Sequence, residues 1–374
     1  MLATHTESPI LEVQRLGQSV WLDYIRRDLI TSGKLAQLIQ DGITGLTSNP
    51  AIFEKAIAES DDYDEILGTL RGQKIFNPAE VYEIIAIRDI QDAAGLLRPV
   101  YDRTRARDGY VSLEVSPLLA NDTHATITEA RRLWRTVNRP NLLVKVPATP
   151  AGIPAIVQLI SEGINVNVTL LFSREVYEQV AWAFIGGLEK NPDPSGIASV
   201  ASFFVSRVDT LADKMIEEKL KTGDADQRER LHSLLGRVAI ANARLAYQRY
   251  RRIFSGPRWK ALAARGAQTQ RVLWASTSTK NPKYRDVIYV EELIGPDTVN
   301  TMPPATIEAF RDHGRPRPSL EEHIDQAKRV MEDLDAAGIS IGQVTDQLTT
   351  DGIRLFAEPY QKLLASIEKK LHES

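Results

Sequence analysis

Cysteine is missing from the chain altogether, which excludes disulfides, thiolate nucleophiles and cysteine-ligated metals at once. The six histidines, His5, His124, His232, His313, His323 and His372, are scattered with no H-x-H or H-x-x-x-H spacing, so no metal is expected. No apolar run reaches the length of a bilayer span. The opening MLATHTESPILEVQ lacks the basic start and apolar middle of a secretory signal, so a cytoplasmic location is the expectation. Neither sign of charge dominates, because 46 Lys and Arg against 49 Asp and Glu leave a net charge of −3. Without a global basic field, nucleic acid and acidic membrane are not expected as partners, and any anion must be gripped locally. What is present is 374 residues, 43% hydrophobic and 25% charged, enough for one large α/β domain or two smaller ones.

The order of apolar periods separates a barrel from an open sheet. SVWLDY (19–24) reads as a strand, 25–42 as a helix closed by Gly42, and ITGLTSNP as a second strand. AIFEKAI and residues 61–107 supply several helices before YVSLEVSP, the third strand. RRLWRTV is a short helix and NLLVKVP the fourth strand. Thr149 then reads as an N-cap with Pro150 at the first helical position and Gly163 after the helix. INVNVTLLF is strand five, Ser173 caps the helix REVYEQVAWAFIGGLEK, and IASVASFFV is strand six. Two long helical stretches fill 207–266, followed by RVLWAST and DTVNTMP as strands seven and eight. Eight strands, each followed by helix, predict a (β/α)8 TIM barrel with additional helices. We read it as a single domain over 1–374, with helical insertions at about 51–109 and 207–266. The helical C-terminal region, about 304–374, is expected to pack on the outside. Such a barrel needs about 250 residues, so roughly 100 are left for extra helix.

Strand parity carries the functional reading. In NLLVKVP, Lys145 faces with Leu143, while Leu142, Val144 and Val146 face the other way. A charge is aimed inward. An ammonium there must pair, reach the open end of the sheet or lose its proton, and an amine of depressed pKa attacks carbonyl carbon; the plainer alternative is a strand-end lysine with its head in water. On strand five Asn165, Asn167 and Thr169 share one face and Ile164, Val166, Val168 and Leu170 the other. Ser112 and Glu114 share a face on strand three, Ser19, Trp21 and Asp23 on strand one, Thr47 and Asn49 on strand two, Ser202 and Phe204 on strand six. The apolar faces should meet the helices, leaving these polar groups inside and near the C-terminal strand ends, where barrel enzymes build their sites. Buried polar groups and charges must satisfy one another. One amine, two carboxylates, hydroxyls and amides form the inventory of Schiff-base chemistry.

The segments GITGLTSNPAIF, VSLEVSP, NLLVKVPATPAGIPA, GINVNVTLLFS, ASFFVSRVD and TVNTMP resemble transaldolase, in its longer subfamily with extra helices, in the same order over nearly the whole chain. The resemblance implies transfer of a dihydroxyacetone unit from a ketose phosphate (fructose 6-phosphate or sedoheptulose 7-phosphate) to an aldose phosphate (erythrose 4-phosphate or glyceraldehyde 3-phosphate), in the non-oxidative pentose phosphate pathway. By the same resemblance Lys145 is the Schiff-base lysine and Glu114 an acid/base acting through a water held by Thr169. Asp23 takes the proton of the C4 hydroxyl. Asn49 and Asn167, with Ser112 nearby, hold substrate hydroxyls; Ser202 and Arg207 clamp phosphate and Phe204 walls the pocket. Neither cofactor nor metal is implied.

Lys280 in STSTKNPKY is expected to be a solvated loop lysine, and Arg26, Arg27, Arg249, Arg251 and Arg252 solvated helix faces. Three alternatives stay open: an aldolase that releases the three-carbon unit without an acceptor, a metal-dependent barrel hydrolase, and a non-catalytic sugar-phosphate sensor. The partners expected are sugar phosphates, and monomer and homodimer are equally compatible with the sequence.

Overall fold

A barrel closes only if every strand finds a neighbour on both sides. In the computed structural model, which describes residues 8–222 and 224–372, eight do: β1 (Gln18–Asp23), β2 (Gly45–Thr47), β3 (Tyr110–Glu114), β4 (Leu142–Pro147), β5 (Val166–Leu171), β6 (Ser199–Phe204), β7 (Arg271–Ala275) and β8 (Thr298–Met302). They pair in parallel in chain order, with β8 returning to β1. The (β/α)8 fold with extra helices is therefore present. His5 lies outside the described residues.

Paired residues share a face, so the register reads out the interior. Asp23 sits beside Thr47 and Thr47 beside Ser112, while Glu114, Lys145, Asn167 and Val200 form one continuous row. The alternate positions Val144, Val146, Val166 and Val168 are fully buried against helices, as β-branched side chains on a two-sided parallel sheet should be.

The N-terminal end of the barrel is plugged. Trp21, wholly buried, donates its indole N–H to Asp108 at 2.6 Å. Arg271 donates to Ser19 Oγ at 2.6 Å and to the Arg107 carbonyl at 2.8 Å, its guanidinium 5.8 Å from the Trp21 ring. Ser19 and Asn165, expected at the C-terminal ends, belong to this lower end instead. Asn165 ties strand starts together, donating to the Pro140 and Leu142 carbonyls and accepting from Ala198 N. Gly45 makes room for the plug, because a Cβ there would come within 2.5 Å of the Trp21 ring. Gly45→Val should therefore destabilise the protein by about 1–3 kcal/mol through overpacking, read as a lower urea midpoint; an unchanged midpoint would show that the indole can move aside.

Local signals place most helices. Ser173 Oγ accepts from Glu175 N and Val176 N and starts Arg174–Lys190. Thr149 Oγ1 accepts from Gly152 N at 2.9 Å, but the helix is Gly152–Ser161 with Ala151 at its cap position, so Thr149 and Pro150 form the turn ahead of it rather than its cap and first residue. RRLWRTV is the second half of a longer helix, Thr123–Val137, whose cap Asp122 accepts from Ala125 N. The segment 25–42 is two helices, Arg27–Thr31 and Lys34–Gln40, broken at Gly33 with φ +82°. The stretch 207–266 holds four: Ser206–Leu220, Ala225–Leu234, Val238–Ile253 and Pro257–Ala263.

Two departures bear on the site. Between β5 and β6 the register slips, Val168 facing Ala201 but Leu171 facing Phe203, so β5 carries one residue too many. The extra residue is Leu170, at φ +59°. Instead of meeting the outer helices it lies against Gly352, where a Cβ would come 2.9 Å from Leu170 Cδ2. The second is the helix Ile341–His372. Rather than packing outside, it contacts Pro50–Ala58 and β5 and crosses the C-terminal mouth, lowering Phe356 into it.

Arg27 is not a solvated cation. It pairs with the fully buried Asp89, which accepts from Tyr63 OH at 2.8 Å, and with Asp92 at 2.6 Å. Arg26 pairs with Asp62. Arg249, Arg251 and Arg252 do lie on the surface, paired with Glu175, Glu178 and Glu321.

Candidate active site

At the C-terminal ends of the strands the interior opens into a cavity of about 460 Å³. Lys145 enters it from β4. Its Nζ donates to the Ser48 carbonyl at 2.9 Å and to Glu114 Oε2 at 3.1 Å, with the Phe356 ring centroid 5.8 Å away. Both side chains are nearly closed off, at 7% and 6% exposure. Such a pair is tolerated when its remaining hydrogen-bonding capacity is met. Burial raises the Glu114 carboxyl, and the Lys145 charge works against that rise. A carboxyl so placed can exchange a proton with chemistry at the amine.

Asp23 ends β1 on the cavity wall. Its Oδ1 accepts from Thr47 Oγ1 at 2.7 Å, and Thr47 Oγ1 lies 2.8 Å from Thr301 Oγ1. Burial raises the Asp23 carboxyl; the Thr47 bond, and after it the charges of Lys145, Lys280 and Arg207, pull it back. Thr169 Oγ1 lines the same cavity, buried, with no hydrogen-bond partner among the described residues.

Below this level runs a chain of neutral bonds. Ser202 Oγ donates to Asn167 Oδ1 at 2.7 Å and Asn167 Nδ2 donates to Ser112 Oγ at 3.0 Å, which holds the Asn167 amide in one orientation. Ser202, expected beside Arg207 as part of a phosphate clamp, is thus engaged with Asn167 at the cavity floor, and Ser112 lies in the interior beneath. Asn49 Oδ1 accepts from Ile52 N at 3.0 Å and caps Pro50–Ala58; the residue lines the cavity with its amide NH2 uncommitted to that cap.

The rim is cationic. Arg207, at the start of Ser206–Leu220, lies 5.5 Å over the Phe204 ring, and Lys55 and Lys280 line the cavity with it. Among the described residues none of the three pairs with a carboxylate. Burial lowers Arg207 and Lys280 alike, and the Arg207 charge depresses Lys280 further. Unpaired cations held together favour an anion between them. Lys280 is exposed as expected of a loop lysine, yet it lines the same cavity as Lys145. The signal for it was its place after β7, at the functional end of the barrel. Phe356 had no such signal, since periodicity reveals a helix but not its path.

The helix bearing Arg207 also carries the buried Asp209, which accepts from Ala239 N at 2.6 Å and Tyr289 OH at 2.8 Å. Burial pushes its carboxyl up to about 7. The folded state therefore holds this proton more tightly than the unfolded state. Its contribution to stability is complete below the usual pKa of 3.8 and is lost as pH rises toward 7. Relative to Asp209→Asn, which cannot titrate, the parent protein should lose urea-midpoint advantage between pH 4 and 7 and no more above it; a pH-independent difference would rule this out.

Among the described residues no group of three His, Asp or Glu side chains is placed to hold a metal ion, and no helix is long and apolar enough to cross a membrane.

With this geometry in place, comparison with known proteins gives concordant matches. The family model described as transaldolase/fructose-6-phosphate aldolase matches residues 20–367. A transaldolase of Trichodesmium erythraeum is 50% identical over 371 residues, covering 97% of this chain and 97% of its own. Transaldolase 2 of a Nostoc species is 49% identical over 373 residues, at 97% of each chain. A transaldolase of Frankia alni is 47% identical over 373 residues, at 98% of each.

Proposed function

We propose that this chain, which belongs to the transaldolase/fructose-6-phosphate aldolase family, moves a dihydroxyacetone unit from a ketose phosphate to an aldose phosphate through an imine on Lys145. The donors are fructose 6-phosphate or sedoheptulose 7-phosphate and the acceptors erythrose 4-phosphate or glyceraldehyde 3-phosphate, the exchange of the non-oxidative pentose phosphate pathway. The observation that carries the reading is one cavity that Lys145 lines with its Nζ bonded to Glu114, with Asp23 on the same wall and unpaired cations at the rim.

The Lys145 amine adds to the C2 carbonyl, and loss of water, with Glu114 supplying the proton, leaves a protonated imine. Asp23 takes the C4 hydroxyl proton. The C3–C4 bond breaks, its electron pair passes into the imine to give an enamine, and the shortened aldose phosphate leaves. The acceptor aldehyde then binds, the enamine carbon attacks it, and Asp23 returns the proton to the new alkoxide. Water, held by Thr169 and activated by Glu114, releases the product ketose. Arg207, Lys55 and Lys280 hold the phosphate, with Asn49 and Asn167 on the sugar hydroxyls.

Borohydride reduction with fructose 6-phosphate should leave a three-carbon adduct on the peptide containing Lys145, found by mass mapping. An adduct on another lysine, or none, would end the proposal. Omitting the acceptor distinguishes transfer from simple aldol cleavage: release of free dihydroxyacetone should be slow against turnover with erythrose 4-phosphate.

A further inference from the structure

We propose that Tyr284 and Asp213 are positioning residues that hold the Lys280 loop against the helix bearing Arg207, and so set the spacing of the cations that receive the substrate's phosphate. This rests on the reading of the cavity rim as the phosphate end. The loop spans 276–287, between β7 and the short helix Ile288–Glu291. A segment of that length with no regular structure of its own would let its lysine swing into water, away from the like charge of Arg207. Something must oppose that escape.

The opposing contacts lie on one side. Tyr284 OH donates to Asp213 Oδ2 at 2.7 Å, across to the helix Ser206–Leu220, and Asp213 Oδ1 accepts from Gly236 N at 3.0 Å. Gly236 sits at φ +69°, and a Cβ on it would come 2.7 Å from the Tyr284 ring. The ring is thus seated against a backbone that only glycine leaves free. At the base of the loop Ser206 N donates to the Ser276 carbonyl at 3.1 Å. Farther out, Thr279 Oγ1 donates to the Arg285 carbonyl at 2.9 Å and Lys280 Nζ to Ser278 Oγ at 2.7 Å. A cavity of about 180 Å³, bordered by Asp213, Lys280 and Tyr284, gives the loop room to shift once the tyrosine bond is cut. Asp213 and Arg207 share one rigid helix, so the bond fixes the loop directly to the second cation.

The test is a double-mutant cycle on the full chain, using Tyr284→Phe, Lys280→Met and both together, with Asp213→Asn as an independent cut of the same bond. Tyr284→Phe should raise KM for fructose 6-phosphate and the inhibition constant of inorganic phosphate by about 10-fold or more, the worth of one hydrogen bond to a charged group. It should leave kcat, and the rate of borohydride trapping with unphosphorylated dihydroxyacetone, within about twofold. Adding it to Lys280→Met should change KM little further, because the tyrosine acts through the lysine. Equal losses with phosphorylated and unphosphorylated ligands, or full additivity in the double variant, would overturn the inference. Should Tyr284→Phe fail to fold, Asp213→Asn carries the same comparison. If the parent protein forms no adduct with fructose 6-phosphate, the reading of the site is what fails; adducts in every variant together with additive effects on KM defeat the positioning role alone.

Discussion

Lys145→Met should lower kcat/KM by roughly 10⁵-fold or more, the scale on which loss of a covalent nucleophile is felt, and should leave no borohydride adduct with fructose 6-phosphate. Methionine keeps an unbranched stem in the same space and removes only the amine. Truncating one member of a buried ion pair costs about 3–5 kcal/mol when the other stays charged. Glu114, already raised by burial and losing the cation that opposes that rise, can take up a proton instead. A folded but inactive protein is therefore the expected result, with thermal melting as the control. Residual activity within about a hundredfold of the parent would move the nucleophile elsewhere.

Asp23→Asn should separate imine formation from bond cleavage. The variant still has Lys145 and Glu114, so fructose 6-phosphate should still condense with the amine. Without a base for the C4 hydroxyl the six-carbon chain stays whole. Borohydride should then trap a six-carbon adduct where the parent gives a three-carbon one, and turnover should fall by about 10²- to 10⁴-fold, the usual worth of a general base. A three-carbon adduct accumulating at the parental rate would assign the proton transfer to another group.

The interior of the barrel was legible because parallel strands buried on both faces force polar residues into a recognisable alternation. Asp23, Glu114, Lys145, Asn167 and Thr169 share the inner face that their spacing predicts, and Asp23, Lys145 and Thr169 line the same cavity. Alternation says which side a residue faces but not how high it stands, so Ser19 and Asn165 lie at the opposite end from the one expected. At Leu170 alternation itself fails. A leucine at positive φ carries no mark that a glycine would have carried, and the added residue in β5 cannot be counted until its neighbour is known. Arg27 departs from expectation for a related reason, and Lys280, exposed as expected, gains its neighbours at the cavity the same way. Whether a cation meets a buried carboxylate such as Asp89, or another cation such as Arg207, depends on segments far away in the chain.

The helix that crosses the mouth sets one more condition on the chemistry. All eight staves are in place by Met302, and a chain cut at residue 340 would retain each of them. It would nevertheless lose the Phe356 ring over the Lys145 Nζ and the backbone at Gly352 that bears on Leu170, next to Thr169. On the proposed chemistry the enamine must outlast the exchange of one aldose for another, and a dry surrounding is what delays its capture by solvent. On that chemistry a chain cut at residue 340 should spill the three carbons to water where the full chain hands them on.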